Sequence, residues 1–424
     1  MVAATRRPTG ERRLGSSTSV APVNAAQVAR YADAIVRGAV GIEPGDLLAV
    51  HGEPAHRPLL VALAEAGYRA GATYVDAIMT DPRQKRARAL HAPEDTLSDL
   101  PRWHDQRMRE ILAREGAVVS ITGAEEPNLL ADVPPERGAR EISRTLPGYL
   151  RYMRALIHGQ ARFCVVAWPT PAWARAVFAD AASDEEAVEL LFSDLLYLAR
   201  LGPDDPADGW QRHVAELDAT AKRVEALDLR LLHLRGPHVD LQVALPEGAR
   251  WIGGLLDGPR GPISPNVPTE EIFTSPAPAA TSGTFRCSKP LEIEGRRIEG
   301  IEGEFRRGRL VSIDTDRKAD RDYLAAYFAR DRGAGRLGEV ALVPPTGRVG
   351  ATGRVYGNTL LDENAASHIA FGQGFRFARR PGAPGANRSR IHVDVMLGTP
   401  EMEAWGTDAA GRRVPVLVDG AFVA

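Results

Sequence analysis

Acidic residues and histidines occur together in the last third of the chain, in a combination that suits metal binding. His368 and Glu363 share the segment LLDENAASHIAFG, His392 and Asp394 share RIHVDVMLG, and Glu339 lies in GEVALVPP. Neutral imidazole with several carboxylates is the ligand set that zinc, cobalt or manganese ions take in proteins. Two charged groups on one short apolar strand also need a compensating cation. The sequence therefore predicts a metal-dependent enzyme.

The spacing of these residues indicates which elements would position them. Side chains two residues apart on a strand face the same side, so His392 and Asp394 would project together. The segment that contains His368 is typical of a helix start, with Asp362 as the N-cap. Glu363 and His368 would then lie about 140° apart around the helix. This separation favours Glu363 as a base rather than as a ligand of the same ion.

Further carboxylates complete the predicted site. The segment NVPTEEIFTSP contains Glu270 and Glu271, and only one of them can point inward because side chains alternate along an extended chain. Separated carboxylates and two histidines can hold two metal ions about 3.5–4 Å apart and activate a water for attack on a carbonyl. A carboxylate base can then pass a proton to the leaving amine. The predicted reaction is amide hydrolysis, with Glu339 and Glu363 as the catalytic residues.

Composition narrows the class of protein. The chain has 424 residues, 44% hydrophobic and 25% charged, with a formal net charge of -2. These values indicate a globular protein and give no reason to expect a nucleic-acid or membrane partner. No apolar run approaches the roughly 20 residues that span a bilayer. Two cysteines in unrelated contexts, Cys164 and Cys287, fit a reduced, cytoplasmic compartment.

Hydrophobic patterning predicts two domains after a polar tail. Residues 1–24 are predicted to be a disordered tail. Residues 25–228 alternate helical and short apolar segments, which predicts an α/β domain with a parallel sheet. Residues 229–424 contain short segments of alternating polarity separated by Gly and Pro turns, which predicts a mostly antiparallel α+β domain that binds the metal. The α/β domain lacks the G-x-G-x-x-G fingerprint of dinucleotide binding.

Several motifs, in their order along the chain, resemble the M29 family of metallo-aminopeptidases, of the thermophilic aminopeptidase T type. They are PGDLLAVHG, VVAWPTPAWARAVF, LPEGARWIGG, NVPTEEIFTSP, RLGEVALVP, NTLLDENAASHIAFG and HVDVMLG. The resemblance covers most of the chain. It implies an aminopeptidase T-like fold, a homodimer, and removal of N-terminal residues from peptides.

The resemblance also implies a site with two metal ions in the second domain. Its implied ligands are Glu271, Glu339, His368, His392 and Asp394. Glu363 matches a glutamate that acts as a ligand or a general base in such enzymes. The identity of the two divalent ions (zinc, cobalt or manganese) is left open.

Two positions depart from the family pattern. A tyrosine usually follows the histidine of the ENAASH motif by seven residues, and Phe375 takes its place here. Losing one donor to a developing oxyanion costs on the order of 10²–10³ in rate, so we expect weak activity on ordinary peptides. Pro345 replaces a histidine that usually follows the GEVALVP segment. Phe375 and Tyr356 are predicted to border the substrate pocket, which takes a peptide or a small amide.

Two alternatives remain open from the sequence. His368, His392 and Asp394 form a two-histidine, one-carboxylate set that suits mononuclear Fe(II), and ring-cleaving dioxygenases are distantly similar to this fold. Retention of Glu271 and Glu339 favours the hydrolase. A non-catalytic binding protein is the third hypothesis, and Phe375 is its only support.

Overall fold

The computed structural model describes residues 23–423, except 128, 131, 135, 139–146, 158–159 and 294–295. Residues 1–22 of the predicted tail lie outside this range. No helix in the described part of the chain is long and apolar enough to cross a membrane.

Helices and strands alternate in the first half of the chain, and strands dominate the second half. The helices are α1 Ala25–Asp33, α2 Arg57–Arg69, α3 Pro82–His91, α4 Arg102–Ala113, α5 Pro147–Ile157, α6 Pro171–Val177, α7 Asp184–Leu198, α8 Pro206–Ala226, α9 Lys318–Tyr327, α10 Arg348–Ala351 and α11 Thr359–Asp362. A π-helical segment, Ala34–Ala39, continues α1, and short 3-10 turns span Pro54–His56, Glu94–Thr96 and Glu363–Ala365.

The strands are β1 Leu47–Gly52, β2 Tyr74–Met79, β3 Ala117–Thr122, β4 Arg162–Ala167, β5 Leu229–Gly236, β6 Val239–Ala244, β7 Leu256–Gly258, β8 Gly261–Ile263, β9 Asn266–Val267, β10 Ile272–Thr274, β11 Thr281–Arg286, β12 Leu291–Ile293, β13 Arg296–Ile298, β14 Glu302–Arg306, β15 Arg309–Asp314, β16 Leu337–Leu342, β17 His368–Gly372, β18 His392–Met396, β19 Glu403–Asp408, β20 Arg413–Val418 and β21 Ala421–Phe422.

The first half forms a parallel sheet in the order β2-β1-β3-β4-β9. Strand β1 is apolar on both faces, as in sheets that helices cover on both sides. Leu48 and Val50 pack in a core with α1, α2 and α8, while Leu47 and Ala49 pack with α4 and α5. The predicted parallel α/β arrangement is therefore confirmed.

Two antiparallel sheets make up most of the second half, as predicted. One has eight strands in the order β15-β14-β11-β6-β5-β19-β20-β21, and the other has four in the order β10-β16-β17-β18. Strand β9 belongs to neither, because it pairs with β4 of the parallel sheet. This pairing brings the segment that precedes Glu270 and Glu271 against the first half of the chain.

Candidate metal centre

The four-stranded sheet separates apolar from ionisable side chains by its alternation. Val340, Ile369, Phe371, Val393 and Val395 point to the large core of the second half. The intervening residues of the same strands project from the opposite face. These residues include Glu339 on β16, His368 on β17, and His392 and Asp394 on β18. The predicted pairing of His392 and Asp394 on one strand face is confirmed.

Strand register brings the carboxylates close together. Ala370 of β17 lies opposite Glu339 on one side and opposite Asp394 on the other. Its small side chain leaves the space between them open. A register irregularity in β16 next to Glu339 further sets the direction of that side chain.

The ionisable groups form two clusters that share one glutamate. Ligand atoms of Glu271, Glu339 and His368 lie within 4.8 Å of one another, and so do those of Glu339, His392 and Asp394. His368 Nε2 is 3.4 Å from Glu271 Oε2, and His392 Nε2 is 3.3 Å from Asp394 Oδ1. Two such clusters around a shared carboxylate suit a pair of divalent cations.

Backbone carbonyls orient both imidazoles. His368 Nδ1 donates to the carbonyl of Ala366 at 3.2 Å, and His392 Nδ1 donates to that of Gln373 at 2.8 Å. In the neutral imidazole, each Nε2 therefore carries a free lone pair that faces the carboxylates. A hydrogen bond at the far ring nitrogen is the usual support of a metal-binding histidine.

The buried carboxylates repel one another. Burial, followed by the charges of Glu339 and Glu363, raises the pKa of Glu271 well above its usual value. Burial and the charges of Asp394 and Glu339 do the same for the pKa of Glu363. Burial lowers the pKa of His392, but Asp394 and Glu339 outweigh it, so the pKa rises well above its usual value.

The cluster fits a cation. Glu271 Oε2 is buried and has no hydrogen-bond partner among the described residues. Burying a carboxylate oxygen without a partner is unfavourable, and a positive ion supplies the missing interaction. The mixture of imidazole nitrogen and carboxylate oxygen suits zinc, cobalt or manganese.

Glu270 and Glu271 point in opposite directions, as alternation predicted. Glu270 accepts hydrogen bonds from Arg200 Nη1 at 2.7 Å and from Nη2 at 3.0 Å, and from the backbone N–H of Arg348 at 3.1 Å. Its own backbone N–H donates to Asn364 Oδ1 at 2.7 Å. Arg200 was not predicted as a partner of Glu270, because nothing in the LYLARLG segment indicates a contact 70 residues away.

The predicted helix through His368 is wrong. Helix α11 ends at Asp362, Glu363 begins a 3-10 turn, and His368 begins strand β17. Asn358 is the N-cap, and the Asp362 carboxylate instead accepts the backbone N–H groups of Tyr356 and Asn358. Glu363 nevertheless reaches the clusters, and Asn266 Nδ2 donates to its Oε1 at 3.3 Å.

These groups line a cavity of about 610 Å³ between the parallel sheet and the four-stranded sheet. The parallel sheet contributes Thr122, at the carboxyl end of β3, and residues of β4. Phe375 lines the cavity, with its ring centroid 5.1 Å from that of His392. Phe273 and Phe377 lie beside Phe375, and neither was predicted. Alternation along the GFRF segment could have indicated that Phe377 faces the same side as Phe375.

Tyr356 lies elsewhere, so its predicted role in the substrate pocket is not supported. The side chain is buried against α6 and α7, and its hydroxyl donates to Asp194 Oδ2 at 3.0 Å. The neighbouring residues Gly357 and Asn358 line the cavity instead.

The fold and the two ligand clusters define a metal-dependent enzyme, and comparisons with known proteins identify it as a hydrolase. The family model for the thermophilic metalloproteases, Peptidase M29, matches residues 24–422. Aminopeptidase T of Thermus thermophilus is 36% identical over 369 residues, which cover 85% of this chain and 90% of that protein. Aminopeptidase 2 of Geobacillus stearothermophilus is 33% identical over 401 residues, which cover 92% and 96%.

Solved structures show the same relationship. The structure of wild-type AmpT from Thermus thermophilus matches with a TM-score of 0.85 at 33% identity, covering 94% of this chain and 99% of that one. A 2,5-dihydroxypyridine dioxygenase from Pseudomonas putida matches with a TM-score of 0.54 at 15% identity, which shows a similar fold alone. The chain belongs to the M29 metallopeptidase family and is a metallo-aminopeptidase-like hydrolase that binds divalent metal.

Proposed function

We propose that the protein hydrolyses the N-terminal amide bond of peptides, or the amide of a specialised small molecule, at a dinuclear centre. The observation that carries this proposal is the position of Glu339, which belongs to both ligand clusters. Two divalent ions (zinc, cobalt or manganese) are the proposed cofactors. Their proposed ligands are Glu271, Glu339, His368, His392 and Asp394.

The chain's own residues would organise the reaction around these ions. When bound, divalent cations act as Lewis acids toward a carbonyl and make water a stronger acid. Glu339 would contribute to holding both ions, because it belongs to both clusters. The imidazoles of His368 and His392, held by backbone carbonyls, would complete the two ligand sets without further rearrangement.

Glu363 is the proposed general base. Its pKa is raised by burial and by Asp394, which increases its tendency to take a proton. Asn266 fixes one oxygen of its carboxylate, which leaves the other free to face the cavity. We propose that Glu363 takes a proton from the attacking water and returns it to the leaving amine.

The geometry favours this reaction over the iron-dependent alternative. A mononuclear site would use His368, His392 and Asp394 together. Among the described residues, however, His368 groups with two glutamates, and the other two residues group with Glu339. The carboxylate-rich environment therefore supports two divalent ions.

Reconstitution tests the proposed function. Chelator-treated protein should lack activity on aminoacyl p-nitroanilides, and two equivalents of zinc, cobalt or manganese per chain should restore it. The N-acetylated substrate is the matched control, because an aminopeptidase requires a free amine. Equal cleavage of both substrates, or full activity after chelation, would refute the proposal.

We also propose that the protein is a homodimer in the cytoplasm. The cytoplasmic location is supported by the two cysteines, which are both free. Cys164 is buried, and burial raises the pKa of both thiols. Light scattering coupled to size-exclusion chromatography tests the dimer, and a monomeric mass at micromolar concentration would exclude it.

A further inference from the structure

The cavity has two unlike walls. Strands β16, β17 and β18 provide Glu339, both histidines and Asp394, whereas a neighbouring part of the lining is apolar and aromatic. Its members include Ile252, Leu256, Phe273, Phe375 and Phe377. Pockets of this size with one apolar wall and a few convergent polar groups are typical of small-ligand sites.

The aromatic side chains are packed against one another next to the metal clusters. Phe375 and Phe377 stack with centroids 5.0 Å apart, and Phe273 meets Phe375 edge-on at 5.7 Å. Phe273 is buried in β10, and Ser275 Oγ accepts the backbone N–H of Phe375 at 2.8 Å. These contacts hold the wall in a fixed shape before any ligand binds.

The ionisable groups of the cavity lining are carboxylates and histidines. Its ionisable side chains are the three carboxylates and two histidines of the clusters, together with Glu363. No lysine or arginine lines the cavity within the described ranges of the chain. A substrate carboxylate that entered beside the phenylalanines would therefore lose its hydration without gaining a cationic partner.

We propose that this wall is the subsite for the first side chain of the substrate, and that it selects large apolar or aromatic N-terminal residues and rejects acidic ones. The inference rests on the proposed function. An amide carbonyl held at the clusters belongs to the first residue, whose side chain branches from the adjacent carbon. Phe375, whose ring lies 5.1 Å from that of His392, is then within reach of that side chain.

Burial of a phenyl group predicts the size of the preference. Moving a benzyl side chain from water to an apolar wall favours it over a methyl group by about 10- to 100-fold in kcat/KM. Glutamate and glutamine have nearly equal shape and differ in charge, so this pair isolates the effect of charge. We expect an N-terminal glutamine to be cleaved at least roughly tenfold faster than a glutamate.

The experiment measures kcat/KM of the full-length, metal-loaded protein on tripeptides X-Ala-Ala, where X is Phe, Leu, Ala, Gln or Glu. Phe377→Ala should reduce the Phe-to-Ala ratio by about tenfold, and Phe377→Leu should keep most of it. Arg376→Ala is the matched control. Arg376 is exposed between the two phenylalanines and does not line the cavity, so its removal should leave the ratio unchanged.

The outcomes separate this inference from the proposed function. Absence of hydrolysis of every tripeptide by metal-loaded protein would refute hydrolysis of peptides, the first form of the proposed function, and this subsite with it. Hydrolysis with equal rates for Phe, Ala and Glu would overturn the subsite alone. Selectivity that follows the second residue in Ala-X-Ala peptides would overturn it as well. Thermal melts of each variant identify a loss of folding, and Phe377→Leu then carries the test.

Discussion

Two adjacent glutamates, Glu270 and Glu271, are expected to respond oppositely to the same substitution. Glu270 pairs with the Arg200 guanidinium through two hydrogen bonds, whereas Glu271 Oε2, 3.4 Å from His368 Nε2, has no hydrogen-bond partner among the described residues. Glu270→Gln removes the charge that compensates Arg200. Glu271→Gln removes a charge that its carboxylate neighbours repel.

Burial sets the magnitude of both effects. The Glu270 side chain is 4% exposed and that of Arg200 is 14% exposed, so the ion pair is largely shielded from water. Breaking a buried pair from one side costs roughly 3–5 kcal/mol. Glutamine retains one hydrogen bond, so we expect Glu270→Gln to lower the free energy of unfolding by about 2–3 kcal/mol. Glu271→Gln should raise that of metal-free protein by roughly 1 kcal/mol.

The pH dependence has a defined sign. Because the pKa of Glu271 is raised from its ordinary 4.5, the metal-free folded protein binds more protons than the unfolded chain above that pH. Its free energy of unfolding therefore falls as pH rises above about 4.5. Glu271→Gln should flatten this slope, and Glu270→Gln should not.

Urea denaturation in chelator between pH 5 and pH 8 measures the stability of both variants. Elemental analysis of metal-loaded protein completes the assay. Glu270→Gln should keep two ions per chain, and Glu271→Gln should lose at least one. Greater destabilisation of the metal-free protein by Glu271→Gln than by Glu270→Gln would contradict this prediction. Loss of metal from Glu270→Gln with retention of both ions in Glu271→Gln would contradict it as well.

Three further predictions follow from individual groups. Phe375→Tyr, which restores a phenol donor beside His392, should raise kcat by up to about 10²-fold at unchanged metal content, and an unchanged kcat would show that the phenol is not what limits turnover. Glu363→Gln should lower kcat by roughly 10²–10⁴-fold while both ions stay bound; loss of an ion would make Glu363 a ligand instead of the base. Burial, followed by the charge of Arg200, lowers the pKa of His213 from 6.5 to about 4, so its contribution to stability, at most about 3 kcal/mol, is lost as pH falls from 6.5 toward 4. His213→Gln should reduce the pH dependence of the denaturation midpoint over that range. An unchanged pH dependence would contradict the lowered pKa of His213.

The strands that carry the candidate ligands could be predicted from local pattern. Alternation along RIHVDVMLG placed His392 and Asp394 on one face, and alternation in the PTEE motif separated Glu270 from Glu271. Alternation is a property of the extended backbone itself, so it needs no knowledge of the tertiary structure.

The segment around His368 shows where local pattern fails. Asp362, Glu363 and the two alanines favour a helix, but Ala366 is extended with φ -158° and ψ 146°. Ser367 Oγ accepts the backbone N–H of Val343 and donates to its carbonyl, which attaches the chain to the end of β16. Pairing with β16 then overrides the local helix propensity.

Contacts between distant segments were beyond the sequence. Phe273 and Phe375 are 102 positions apart in the chain, and only the folded sheet brings their rings to 5.7 Å. Tyr356 was misplaced for the same reason, because its hydroxyl partner, Asp194, lies 162 residues away. Neither Phe375 nor Tyr356 has a neighbouring motif that indicates its partner.

Anomalous diffraction from crystals grown with zinc or cobalt tests the central claim most directly. We predict two peaks about 3.5–4 Å apart, with the Glu339 carboxylate between them. A single iron peak bound by His368, His392 and Asp394, or a cavity without any peak at saturating metal, would contradict the dinuclear hydrolase.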